Sequence, residues 1–401
     1  MSEQPFLKQK IILLVTAFID VIGIGIVIPT LPTYVEHLSD SAFLASSFFA
    51  IYSFFAFFAT PVLGSLSDKY GRRPILLASL LGTSIGWFFF AWGGSIIFLI
   101  LGRVIDGITS GNISTAMNYL ADIAKDAKER AANLGMIGAV FGVGFIIGPM
   151  LGAVLSTVSP AFPFWMAGGL ALANTIAAYF FLPESLQEQK RNVHLTLNPL
   201  RGIGAAFRLK PIWNLLWTWS LFSLAVSAIP AIFALYVDRA FALGPQGIGF
   251  LFAGMGLLIA VNQGLLMKRF WLKRFSEHRL ITVSIVLMFL SFAGMAAGSF
   301  TLFLLAMVLS AFGQSNLRVV TTSAIIGHSP VSQQGMINGV AQSIFFLCSV
   351  IAPLYAGGLM EANLHLPWIV AGVIMAIALY FGRRPIPEVP KENSPAEQVA
   401  A

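Results

Sequence analysis

Charge and cysteine are what this 401-residue chain has least of. Only 10% of its residues are Asp, Glu, Lys or Arg, where a soluble domain carries about 25%. Hydrophobic residues make up 57% of the chain, and its mean hydropathy is +0.83. A water-soluble core cannot hold so much apolar side chain, so the composition reads as an integral membrane protein with lipid as its solvent. The single cysteine, Cys348, lies in an apolar run and excludes a disulfide framework. His37, His194, His278, His328 and His365 are scattered without ligand spacing, so no metal is expected. No GxxxxGK[ST] phosphate loop occurs, so ATP is not the expected energy source. No nucleophile–base constellation is visible either, and the chain is not expected to be an enzyme.

Long apolar runs, by contrast, are plentiful. Twelve reach the ~20 residues that a membrane helix needs, at about 9–35, 43–66, 74–94, 96–122, 131–157, 161–182, 211–238, 245–268, 278–298, 301–326, 333–360 and 366–383. The first, from Ile11 to Tyr34, exceeds the ~7–15 residues of a signal-peptide core and is expected to be a retained helix. If the N-terminus is cytoplasmic, 21 of the 24 basic residues fall on the cytoplasmic side, only Arg239 lies outside, and Arg103 and Arg318 lie within spans. By the positive-inside rule both termini are therefore expected in the cytoplasm. The formal charge of +7 is a topology signal, and no nucleic-acid partner is expected.

The longest polar stretch, "PESLQEQKRNVHLTLNPLRGIGAAFRLKP", follows the sixth span. It divides the chain into an N-terminal six-helix bundle (1–182), a cytoplasmic linker (183–210), a C-terminal six-helix bundle (211–384) and a Pro- and Glu-rich tail (385–401) expected to be disordered. Within the linker, "LNPLRGIGAAF" is expected to form a short amphipathic helix at the membrane surface. "KERAANLGMIGAVFGVGFIIGPMLGAVL" and "SQQGMINGVAQSIFFLCSVIAPLYAGGL" form a weak repeat across the halves. A parallel repeat of two six-helix halves is a transporter architecture, with its substrate site near the midplane.

Three motifs carry a resemblance. "GSLSDKYGRRP" (64–74) lies between spans two and three and supplies Gly64, Asp68, Gly71, Arg72 and Arg73. On charge alone it is a positive-inside loop, but its spacing resembles the loop signature of the major facilitator superfamily. "LGRVIDGITSG" (101–111) resembles that family's fourth-helix motif. "GAVFGVGFIIGPMLGAVL" (138–155) resembles its fifth-helix antiporter motif, through Gly138, Gly142, Gly144, Gly148, Pro149 and Gly152. Such a glycine series permits close helix approach, although small residues are common at any membrane helix seam. Nearly the whole chain resembles the twelve-span drug:proton antiporters, and "FIDVIGIGIVIPTLP", "YLADI", "LPES" and "QGMINGVAQS" resemble their tetracycline-efflux class. The resemblance implies an all-α membrane fold of two pseudo-symmetric six-helix bundles. It also implies a conformational lock in which Asp68 holds the cytoplasmic side closed against the start of helix eleven. The charge pattern departs from that class, which carries an acid in span three where this chain has Gly86, and another in span nine where it has none. Asp106 and Arg318 stand where that class has uncharged residues.

A charge at the bilayer centre costs ~2.5–3.5 kcal/mol on insertion scales, so each of Asp20, Arg103, Asp106 and Arg318 needs a partner or a cavity. Asp20 lies ~20 Å along its helix from the cytoplasmic start, and Arg103 lies ~9 Å from the outer side on an opposite-running helix. In a ~30 Å core these depths coincide. Asp20 is therefore expected to be the protonation site with Arg103 as its partner. Asp106, one turn on, shares that arginine or is the proton site itself. The bland alternative is a static pair that fixes helices one and four. Arg318 binds an anionic substrate group, snorkels to the surface or pairs across the halves. Asn112, Asn262, Gln263, Gln314, Asn316, Asn338 and Gln342 are cavity candidates, with helix–helix hydrogen bonding as the alternative for each.

These residues point to a proton-coupled exporter of amphipathic small molecules working by alternating access, driven by the proton gradient without a cofactor. Its partners are then protons, lipid and the small-molecule substrate. It is expected to be a monomer in the cell's inner, cytoplasmic membrane. Export or flipping of an endogenous siderophore, lipid or sugar-like metabolite is the alternative within transport. A non-transporting sensor or scaffold is the alternative outside it.

Overall fold

Only an element that satisfies its own backbone polar groups can cross lipid, so the apolar runs become helices. The computed structural model describes residues 4–36, 38–124, 126–185, 199–330 and 333–385. The first bundle comprises α1 (Gln4–Glu36), α2 (Ala42–Tyr70), α3 (Arg72–Trp92), α4 (Ile96–Ile108), α5 (Asn112–Asp122), α6 (Ala127–Ser156) and α7 (Phe162–Phe181). The short helix expected in the linker is present as α8 (Pro199–Ala206), while 186–198 of the linker and 386–401 of the tail lie outside the described residues. The second bundle begins with α9 (Trp213–Val226), α10 (Ile229–Phe241) and α11 (Gly244–Val261). A π-helical stretch, Asn262–Trp271, then leads into α12 (Leu272–Arg274). The bundle closes with α13 (Glu277–Ala296), α14 (Phe300–Gly327), α15 (Gln334–Ala362) and α16 (Leu366–Gly382). Eleven of the resulting segments are long and apolar enough to cross a membrane, and the 17-residue α16 is a shorter twelfth.

Three spans that read as continuous are interrupted. The fourth breaks at Thr109–Gly111, where a Cβ on Gly111 would sit 2.7 Å from Ser79 Oγ and 3.0 Å from Leu63. The seventh breaks at Ser227–Ala228, because Pro230 at the start of α10 has no N–H to continue the ladder. The eighth becomes π-helical from Asn262. Membrane helices carry such breaks where protein surrounds the freed backbone.

Lipid tails are as apolar as leucine, so tight packing and not water exclusion holds these helices together. The α1–α6 seam shows the device: a Cβ on Gly148 would meet Gly25 Cα at 2.7 Å, and one on Gly152 would meet the Ile26 carbonyl at 2.4 Å. A Cβ on Gly144 would meet Val21 at 2.6 Å. Gly138 has open space around it, and a methyl on Gly142 would only touch Ala260 at 3.6 Å, so the first two glycines of the motif make no close seam with α1. Aromatic residues fill the bundle interiors, with Trp87, Phe90 and Phe164 in the first and Trp219, Phe292, Phe303 and Trp368 in the second.

The halves meet through α2 with α15, α6 with α11, and α1 with α10. Twelve crossings bring the chain back to the face where it starts, called here the terminal face. At the opposite face Arg239 reaches across to Glu36 (2.6 and 2.8 Å) and to the Asp40 carbonyl (3.1 Å). Beside them Ser41 and the Phe43 N–H donate to Glu361, the latter at 3.2 Å. A Cβ on Gly249 would meet Ala153 and Pro149, and one on Gly256 would meet Phe145, all in the outer half of the α6–α11 seam. These contacts fade at mid-depth, near Gly142 and Ala260. Toward the terminal face α15 leaves Asn338 and Gln342 exposed. The hydrogen bonds and the tightest glycine contacts between the halves thus gather toward the opposite face.

Candidate functional site

Close packing of α3 on α4 builds the center of the first bundle. A Cβ on Gly82 would lie 2.2 Å from Thr109, and one on Gly86 would lie 2.8 Å from the Gly102 carbonyl and 3.0 Å from Asp106 Cβ. Two glycines one turn apart thus let the backbones touch. They place Thr83 and Trp87 of α3 beside Arg103 and Asp106 of α4. A side chain at position 86 would begin where Asp106 already stands. The missing acid of span three therefore has a neighbour of the same chemistry across the seam.

Arg103 is buried, with its guanidinium 3.8 Å from the centroid of Trp87 and further framed by Phe90 (5.2 Å) and Tyr52 (5.8 Å). A desolvated cation over aromatic faces is worth about 2 kcal/mol. Its ionic partner is Asp106, at 3.3 Å. The expected pair with Asp20 is not formed: among the described residues Asp20 has no cation within ion-pair distance. Asp106 lies three residues along the same helix, so the local i,i+3 geometry wins over the cross-helix pairing.

Asp20 is buried and accepts instead from Asn112 Nδ2 at 2.8 Å. Asn112 is the first residue of α5, so the break at Thr109–Gly111 is what turns its amide toward α1. The same Nδ2 lies 3.1 Å from Thr83 Oγ1, and Thr83 also faces Asp106. A polar chain therefore runs Asp20–Asn112–Thr83–Asp106–Arg103 through α1, α5, α3 and α4. It holds two carboxylates and one guanidinium. Arg103 Nε and Asn112 Oδ1 are buried without a hydrogen-bond partner, so the chain has a donor and an acceptor left for a rearranged state.

At the terminal face the loop motif gathers on Arg72. Its guanidinium pairs with Asp68 (2.5 Å) and Asp122 (2.8 Å) and bonds Ser67 Oγ (2.7 Å). Glu184, from "LPES", accepts from the backbone N–H groups of Arg72 (2.9 Å) and Arg73 (3.1 Å), capping the start of α3. Gly71 has φ +111°, which an L side chain rarely adopts, and a Cβ there would strike Glu184. Arg73 reaches the Tyr179 carbonyl at 2.6 Å. Gly64 has nothing within 4 Å of a built Cβ, so it is not a close-approach glycine. The expected contact of Asp68 with the start of helix eleven falls partly on residues 331–332, outside the described residues.

In the second bundle Asn262 and Asn316, read as cavity candidates, are buried against each other. Asn262 Nδ2 donates to Asn316 Oδ1 (2.7 Å) and Ser315 Oγ (3.1 Å), and Trp271 Nε1 donates to Asn262 Oδ1 (2.7 Å). An amide inside an apolar bundle must find such partners, so these two tie the π-helical stretch to α14. Gln263, Asn338 and Gln342 are exposed, Gln314 is half-buried, and Arg318 is exposed with its guanidinium 5.0 Å from the Phe345 ring centroid. Thr83, Trp87, Asp122 and Glu184 complete these clusters without having been singled out. Only the neighbourhood of "YLADI" and "LPES" to the loop motif in the resembled class could have pointed to the last two.

Among known proteins, the chain is 30% identical over 392 residues to the class C tetracycline resistance protein of Escherichia coli, covering 93% of this chain and 96% of that one. It is 26% identical to multidrug resistance protein 2 of Bacillus subtilis (strain 168), covering 92% and 93%. The fold matches the crystal structure of the nucleoside transporter NupG with a TM-score of 0.77 at 15% identity, over 93% of this chain and 98% of that one. The family model described as Major Facilitator Superfamily matches residues 13–270 and 231–400, and the chain is a member of that superfamily.

Proposed function

We propose that this transporter exports amphipathic small molecules in exchange for protons, by alternating access, from a cytoplasmic membrane in which both termini face the cytoplasm. The buried Asp20 carries the reading. It is an acid at mid-span with an amide as its neighbour, beside a second acid that occupies the only nearby arginine. A charged carboxylate is costly in such a place, and a proton removes the charge. With two acids and one guanidinium, one proton makes the polar chain neutral. Proton arrival at Asp20 or Asp106 frees Asn112 or Arg103 to take new partners. The basic residues that crowd the terminal face support its cytoplasmic assignment.

The relatives named for tetracycline and multidrug resistance make tetracycline and a lipophilic dye such as ethidium the first compounds to test. In proteoliposomes with an imposed proton gradient, the wild type is expected to move at least one of them and to stop when an uncoupler is added. Asp20→Asn is expected to lose gradient-driven movement while keeping substrate binding. Normal proton-driven exchange by Asp20→Asn would remove Asp20 from its role.

A further inference from the structure

Arg318 is the in-span charge that the polar chain of the first bundle does not use. It lies nine residues before the end of α14 at Gly327, or ~14 Å from that end. Snorkelling serves residues close to helix ends, and Arg318 is two and a half turns in. Among the described residues it has no ion-pair partner, and its guanidinium lies 5.0 Å from the centroid of the Phe345 ring.

Its side chain is exposed on the face of α14 that turns toward Phe345 of α15. On α14 the exposed apolar residues Val308 and Val319 mark the lipid stripe, and Arg318 lies on the neighbouring face, toward α15. On α15 Asn338, Gln342 and Phe345 follow at four- and three-residue spacing and share one face, away from the buried Ile337, Val340 and Ile344. One turn before Arg318, Gln314 holds Nε2 buried without an acceptor. These faces therefore present a guanidinium, an amide donor and an aromatic ring, and among the described residues no acid pairs with the guanidinium. What the arrangement lacks is an anion.

We infer that a cleft between the halves, open toward the terminal face, takes substrates carrying an oxyanion, a carboxylate or a comparable group, seated on Arg318 with a planar apolar part lying against Phe345. A guanidinium fork matches a carboxylate with two parallel hydrogen bonds. The arriving anion offsets the cost of taking the cation out of water. The inference deepens the transport reading and rests on it for the word substrate. An anionic lipid headgroup entering from the side would offer the same chemistry.

The test uses the purified full-length protein in a neutral detergent and three probes sharing one ring: 2-naphthoate, 2-naphthamide and 2-naphthylmethylammonium. Thermal stabilisation against concentration is the readout. In the wild type, 2-naphthoate is expected to half-saturate at least tenfold below the other two. Arg318→Gln is expected to lose that tenfold preference and leave the amide's weak binding unchanged, with Arg318→Lys between the two. Phe345→Ala is expected to weaken the naphthoate while leaving a preference for anions. The lipid arm repeats the titration in nanodiscs of phosphatidylcholine with and without phosphatidylglycerol. Arg318-dependent stabilisation by phosphatidylglycerol that displaces naphthoate would place the same oxyanion site on a lipid.

No preference for naphthoate in the wild type overturns the inference without any variant having to fold. So does naphthoate binding unchanged in Arg318→Gln. Binding and coupling separate cleanly. Asp20→Asn should bind naphthoate as the wild type does, and normal proton-driven exchange by that variant would defeat the transport reading while leaving the anion site standing.

Discussion

At the residue scale, the first bundle turns on which groups can stand next to one another at mid-membrane. Asp106 takes Arg103 because both lie on one helix face, and Asp20 takes the amide that the break before α5 delivers. Gly86 is as decisive as either charge, since it sets the distance between α3 and α4. Gly86→Val is expected to destabilise the protein by about 1–3 kcal/mol, the usual cost of forcing atoms into a filled core, and to lower the thermal midpoint in detergent. It should also weaken proton coupling, because Asp106 must move. Trp87→Leu removes the ring beneath Arg103 and is expected to cost about 2 kcal/mol by the same assay.

At the element scale, the α1–α6 seam and the loop between α2 and α3 hold the first bundle in shape. Gly148→Leu would drive a side chain into the α1 backbone at Gly25, and is expected to reduce the yield of folded protein and abolish transport. Gly138→Ala, four residues from Gly142 in the same motif, has open space and is expected to behave as the wild type. The contrast, read by size-exclusion profile and transport rate, separates packing glycines from the rest of the motif. At the loop, Gly71→Ala must hold φ +111° and displace Glu184, an expected loss of about 1–3 kcal/mol. Glu184→Gln keeps the cap's shape but weakens its charge at the start of α3, and a smaller loss, about 0.3–1 kcal/mol, is expected.

At the scale of the whole molecule, the two halves are clamped at the face away from the termini. The Glu36–Arg239 pair is a quarter exposed, so on its own it is worth no more than about 1 kcal/mol. Arg239→Gln is therefore expected to shift the balance of open states by up to about fivefold toward opening at that face. Spin labels across the clamp, between α1 and α10, would report the longer distance population growing. An unchanged distance distribution would mean that the α6–α11 and α2–α15 seams alone hold the closure.

Lipid solvation makes much of this legible before any fold is known. Span count, the short helix in the linker and the family all follow from long apolar runs, clustered basic residues and a spaced loop motif. Each of those signals is local and periodic. The helix breaks at Thr109–Gly111 and Ser227–Ala228 were not legible, because an apolar run reads as continuous whatever its backbone does. The pairing of the buried charges was not legible either. Depth along a helix showed that Asp20 and Arg103 lie level, but depth says nothing of rotation, and the i,i+3 neighbourhood on α4 decided that Arg103 turns to Asp106. Likewise the sequence marked Asn262, Asn316 and Arg318 alike as polar residues in lipid. Tertiary packing sorted them, burying the two amides against each other and leaving the guanidinium exposed beside Phe345, because burial can be completed only where a partner of the right chemistry stands opposite.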